Sequence, residues 1–272
     1  MEKPWVGRGW RLLVFLLLGF CADPVLLRAD EPSIDAKSSD VLAAACAFYT
    51  GLQSFQADGA ATTKTEMTGV RQEVDETFAV AMARPASFLF VKKSGLDSGS
   101  ALVSNGKTVA AYVALQKEYL TAPAPADLSG LLTPSTVLTY GRVLVNTDVF
   151  KAFLAKYPFG AIANRRVTGV YAGAEKIGDA DTDHLQLTGM GAVTDLWFAT
   201  GSSPFLLQFR WTLNRPSGKS EATYAFSNWR SNAALPPEQF VFSPPPDAVL
   251  VTNFSMPGQQ EEVPAWLKKA SP

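Results

Sequence analysis

The one histidine of this 272-residue chain, His184, follows Asp183, and an Asp-His pair is the half of a hydrolytic site that would activate a nucleophile. The other half is missing, because no Gly-x-Ser-x-Gly elbow presents a serine. His184 lies in a stretch of alternating type, with Gln186 and Thr188 on its side and Leu185 and Leu187 on the other. Its expected place is therefore the solvent face of a strand. Paired carboxylates for glycoside chemistry would come from Glu66, Glu73, Glu76 and Asp195, candidates by residue type alone, which read more simply as solvent-facing strand residues. Asp179, Asp181 and Asp183 lack the glycine and terminal glutamate of a calcium loop and read as a hairpin turn. Gly218-Lys219-Ser220 resembles the end of a phosphate loop, but Leu213 stands where its first glycine belongs. Clustered His and Cys for a transition metal are absent. The expectation is thus a protein without catalytic residue, metal or cofactor, with an Asp183/His184 hydrolase as the weakest alternative.

What the chain has in quantity is apolar surface at strand spacing. Residues 1–29 read as an export signal: Arg8 and Arg11 precede the apolar run Leu12–Phe20, and Leu27-Arg28-Ala29 offers a cleavage site. The run is shorter than the ~20 residues needed to span a bilayer. Cys21 follows Phe20, not the small residue of a lipidation signal. Of 24 basic and 25 acidic residues, the signal holds four (Lys3, Arg8, Arg11, Arg28) and two (Glu2, Asp23), which leaves 20 against 23 and a net charge of −3. That balance argues against a nucleic-acid partner. Only Cys46 then remains, so a monomer in the periplasm or outside the cell must be held by its core alone. Residues 30–250 are expected to form one domain, and residues 251–272 an irregular tail.

A helix is expected from Asp40 to about Gly51, with Leu42, Cys46 and Tyr49 in one stripe. From Phe55 the period changes to that of strands, at about 55–68, 71–83, 87–93, 100–105, 107–115 and 117–121. Asn105-Gly106 is a strong hairpin signal. Helical character returns at 125–132 and 146–156, where Val149, Phe150, Phe153 and Leu154 make a stripe. Further strands follow at about 165–175, 183–190, 192–199, 204–214 and 220–230. In the fourth of these, alternation places Phe205, Leu207, Phe209, Trp211 and Leu213 on one face. Ten or eleven strands with no second sheet must curl or be covered, and the only covers are short helices. The fold class is therefore mainly β (α+β): a curved antiparallel sheet in an unclosed half-barrel, with an N-terminal helix and short lid helices. A surplus of oily side chains suggests an apolar groove lined by Phe78, Val80, Phe88, Phe90, Tyr112, Phe150, Phe153, Trp197, Phe205, Leu207, Phe209 and Trp211.

Several short motifs in this order carry a resemblance: Arg84-Pro85-x-x-Phe88, Asn105-Gly106-Lys107 followed by Tyr112, Leu196-Trp197-Phe198 leading into Ser203-Pro204-Phe205, and Phe240-x-Phe242-x-Pro244-Pro245. Over residues 40–250 the chain resembles the predicted periplasmic proteins of unknown function related to the outer-membrane lipoprotein carriers. The resemblance implies an unclosed barrel with helices in its mouth, and a cavity that shelters a lipid, an acyl chain or a lipoprotein. The same fold as a sensor or interaction module with an envelope protein partner is the alternative. Members of the family often carry a cysteine where this chain has Thr182, and the carriers' lid-gating arginine has two counterparts in type, Arg71 and Arg84.

Overall fold

Long alternating stretches joined by tight turns produce a meander, and the meander fixes which strands are neighbours. The computed structural model describes residues 33–133, 147–160, 167–189 and 191–255. Among these, β1 (Ser54–Met67), β2 (Val70–Ala83), β3 (Ser87–Lys92), β4 (Ala101–Asn105), β5 (Thr108–Val113) and β6 (Glu118–Pro123) run in sequence order toward one edge of the sheet. The chain resumes at the opposite edge with β7 (Thr168–Ile177) and meanders back through β8 (Ala180–Gly189), β9 (Ala192–Ala199), β10 (Leu206–Arg215) and β11 (Gly218–Ser231), which pairs with β1. A two-residue strand, β12 (Val249–Leu250), joins β6 in parallel and makes the sheet twelve strands wide. β12 and β7 are its two edges, so the barrel is not closed. The expected count of ten or eleven lacked only this last short strand.

The connection from β6 to β7 must cross to the opposite edge, and its described helical parts lie over one face of the sheet. It contains a 3-10 turn, Leu128–Leu132, and the helix α2, Thr147–Leu154. The N-terminal helix α1 (Ala36–Gly51) shares that face, here called inner. It begins four residues before the expected start, because Asp35 caps it. One Asp35 carboxylate oxygen accepts from the Ser38 N–H at 2.7 Å, and the other from the Tyr171 N–H of β7 at 2.6 Å. These bonds hold the Asp35 carboxyl below its ordinary range. Arg84 closes the other end of α1 by donating to the Leu52 and Tyr49 carbonyls at 2.8 and 3.3 Å. Arg71 instead pairs with Glu66 at an exposed hairpin tip.

The inner face contributes Phe55, Phe78, Val80, Phe88, Phe90, Phe209, Tyr224 and Phe226 to one continuous core. Gly59 shows how closely it is packed, since a Cβ there would lie 2.1 Å from Cζ of the buried Phe78 ring. Gly59→Ala is expected to lower stability by about 1–3 kcal/mol through overpacking. Urea unfolding checks this, and the loss should shrink when Phe78→Leu is added.

The outer face is covered over β3–β6 by the C-terminal segment. Phe240 of a second 3-10 turn, Pro237–Phe240, is buried, and Phe242 lies 6.1 Å from Tyr112 and 5.6 Å from Tyr119 between ring centroids. Residues 251–255, expected to be loosely held, are tied to β6: the Val251 N–H donates to the Tyr119 carbonyl, and the Ser255 N–H to Glu118. The expected export signal, residues 1–29, and residues 256–272 lie outside the described residues. Among the described residues no helix is long and apolar enough to cross a membrane.

Candidate functional site

The centre of the inner face is a set of aromatic rings from three sources. β1, β2 and β3 supply Phe55, Phe78 and Phe90, α1 supplies Tyr49, and α2 lowers Phe150 and Phe153 onto them. Phe150 lies 5.9 Å from Phe78 and 5.1 Å from Phe90, while Phe153 lies within 6.0 Å of Tyr49, Phe55, Phe159, Phe226 and Trp229. These pairs are tilted or edge-to-face, the geometry in which ring quadrupoles attract. Val149, Phe150, Phe153 and Leu154, the expected stripe, are all buried, so α2 is amphipathic with its apolar side inward.

The twelve residues expected to line a groove are therefore divided. Phe78, Val80, Phe88, Phe90, Phe150, Phe153 and Phe209 meet in the core, and Trp211 packs partly against it. Tyr112 and Trp197 are buried on the outer face. The register shift in β10 between Leu206 and Gln208 places Leu206, not Leu207, opposite Phe198 on the inner side. Phe205 precedes the strand and stacks on Trp229 at 5.1 Å. Strict alternation put Leu207 on the face of Phe209, and the bulge removes it from that face, while Phe205 also meets Phe48 of α1 at 5.0 Å.

The residues that could do chemistry also separate. Asp183 points inward and accepts from the Tyr171 hydroxyl at 2.8 Å, whereas His184 lies on the outer face, buried, not solvent-facing as its pattern predicts. Asp183 and His184 thus form no dyad. The His184 ring stacks on Trp197 at 4.2 Å, with Nδ1 at 2.8 Å from Glu175 and Nε2 at 3.0 Å from Asp195. Both ring nitrogens of His184 are thus engaged by carboxylates. Asp195, 2% exposed, also accepts from Gln186 and twice from Arg210, and Arg210 lies over the Trp197 ring at 5.1 Å. The indole N–H of Trp197 and then His184 hold the Glu175 carboxyl below its ordinary range. This network braces β7–β10 across the outer face.

Of the four carboxylates expected in solvent, Glu66 and Glu73 are exposed in ion pairs, but Asp195 and Glu76 are buried. Glu76 shares the inner face with Phe78, and its Oε2 meets Lys92 Nζ at 3.2 Å. Burial raises the Glu76 carboxyl above its ordinary range against the opposing effect of Lys92. Glu76 interrupts the apolar parity of its strand, and that interruption was the one available sign of its position. No group of three or more potential metal ligands occurs among the described residues.

A sequence comparison with curated proteins finds no match. Among solved structures, the chain is similar to an uncharacterized conserved protein from Thermus thermophilus, at 14% identity and a TM-score of 0.46 over 79% of this chain and 98% of that one. It is also similar to a LolA superfamily protein from Nitrosomonas europaea (15% identity, TM-score 0.35, 75% and 97% covered). A third similar structure is the MucA/MucB complex of Pseudomonas aeruginosa (13% identity, TM-score 0.44, 76% and 62% covered). Residues 38–253 match a family described as predicted periplasmic protein. Since that span is most of the chain, the protein belongs to this family, DUF2092.

Proposed function

We propose that the protein is a non-catalytic periplasmic binding protein whose guest is an apolar chain, held between the inner face of the sheet and α2. The observation that carries this reading is that the aromatic middle of the inner face, at Phe78 and Phe90, is covered by Phe150 of a helix of only eight residues. Isolated helices shorter than about 12–15 residues are marginal in water. α2 is therefore held by its apolar stripe, and a hydrocarbon chain can replace that stripe like for like. A guest must take the place of Phe150 and Phe153, because their rings fill the hollow. Apolar burial at roughly 25 cal/mol per Å² provides the attraction without any polar motif.

The test is titration of the delipidated full-length protein with a fluorescent fatty-acid analogue. Saturable binding near one molecule per chain, displaced by unlabelled lipid, is the expected result, and its absence overturns the proposal. A second reading, an envelope protein partner, draws on the exposed Val249 and Leu250 of edge strand β12. An extended segment adding to that edge would bury them. Under that reading Val249→Lys would abolish partner capture, and the fluorescent lipid would not bind.

A further inference from the structure

On the inner face, β2, β1 and β11 place Glu76, Ala61 and Tyr224 in one row, since Ala61 pairs with Glu76 on one side and with Tyr224 on the other. Lys92 of β3 completes the group through its bond to Glu76. All three polar side chains are more than nine-tenths buried, with Glu76 and Lys92 at 7% exposure and Tyr224 at 1%. Their hydrogen bonding is incomplete. Glu76 uses Oε2 on Lys92, but its Oε1 has no partner, and neither has the Tyr224 hydroxyl. Leaving a buried polar atom unpaired costs about 1–3 kcal/mol, and two such atoms here are separated by a residue whose side chain is a single methyl. They are near enough that the Glu76 charge, after burial, contributes to raising the Tyr224 hydroxyl. Around them the wall is apolar: Phe78 lies 6.2 Å from Tyr224 and Phe209 lies 6.0 Å from it.

We infer that Glu76 and Tyr224 form the head-group end of the binding site and take an uncharged polar head, a hydroxyl or amide, on a single-chain amphiphile. The inference rests on the binding function proposed above and specifies its ligand. A carboxylate oxygen accepts and a phenol donates, so the complementary group must both donate and accept. Glu76 and Lys92 neutralise each other, so the site has no surplus positive charge to draw in a free carboxylate. The hydrocarbon tail would then run along Phe78 and Phe90 in place of Phe150.

Calorimetric titration of the delipidated full-length protein with monolauroylglycerol, dodecanoate and dodecane, repeated with Tyr224→Phe, tests this. The wild type is expected to bind the monoglyceride at least about tenfold more tightly than either other probe, the effect of one well-made hydrogen bond. Tyr224→Phe should lose that preference and keep its affinity for dodecane. The variant should also be at least as stable as the wild type, because only an unpaired hydroxyl is removed. Binding of all three probes without preference for the monoglyceride overturns the head-group assignment and leaves the binding function standing. A preference unchanged in Tyr224→Phe, or a variant that loses stability as if a bonded water were removed, also overturns it. Failure of every probe to bind the wild type overturns the binding function itself.

Discussion

Phe153→Ala is expected to lower the unfolding free energy by about 3–5 kcal/mol, the range for truncating a buried aromatic side chain. Phe153 is the ring through which α2 meets α1, β1, β11 and the turn at Phe159, and it is 1% exposed. Its loss removes the transfer energy of the ring and leaves a cavity that the eight-residue helix cannot close without leaving Phe78 and Phe90. Urea unfolding followed by intrinsic fluorescence measures the change, with Tyr157→Ala as the control. Tyr157 follows the same helix but is 66% exposed, so its truncation should cost less than about 0.5 kcal/mol. Equal effects would mean that α2 is not held by its apolar stripe. If the stripe is what a guest chain displaces, Phe153→Ala should also bind the fluorescent fatty acid more tightly, because less of the protein's own packing must be given up.

Lys92→Met should cost about 3–5 kcal/mol near neutral pH, since it leaves Glu76 as a buried charge without a counter-ion. The accompanying pH dependence has a definite sign. Burial raises the Glu76 carboxyl in the folded chain, and Lys92 opposes that rise, so its removal raises the group further. A carboxyl that binds its proton more tightly folded than unfolded leaves stability intact below the ordinary carboxylate range, and stability falls as pH rises through the raised value. The deficit of Lys92→Met relative to wild type should therefore be small near pH 4 and grow toward pH 8. Combining it with Glu76→Leu should return most of the loss, because an apolar pair of similar size replaces a buried ion pair at little or no cost. A deficit independent of pH would show that the cost lies in packing of the lysine stem and not in the charge.

Periodicity was a good guide to the strands because a residue's alternation is set by its own backbone. The long runs through β1, β2 and β11, the turn at Asn105-Gly106 and the apolar stripe of α2 all occur where residue types alone put them. Alternation is silent, however, on what covers each of the two faces it defines. Tyr112 and Phe90 are both apolar strand residues, but one lies under Phe242 and the other under Phe150. Those covers come from chain more than a hundred residues away in one case and sixty in the other, and no local pattern encodes them. Asp195 and His184 were read as solvent residues for the same reason: their partners arrive from neighbouring strands.

The residue order by itself determined a mainly β chain of about eleven strands with an N-terminal helix and short lid helices. Tertiary structure alone decided the rest. The passage from β6, next to one edge, to β7 at the other laid α2 across the inner face, bulges in β7 and β10 exchanged which residues point inward, and Glu76 was buried on the inner face with an oxygen unpaired. The physical reason is that hydrogen-bonded alternation is a short-range property, whereas burial is the sum of what every other element leaves exposed to water.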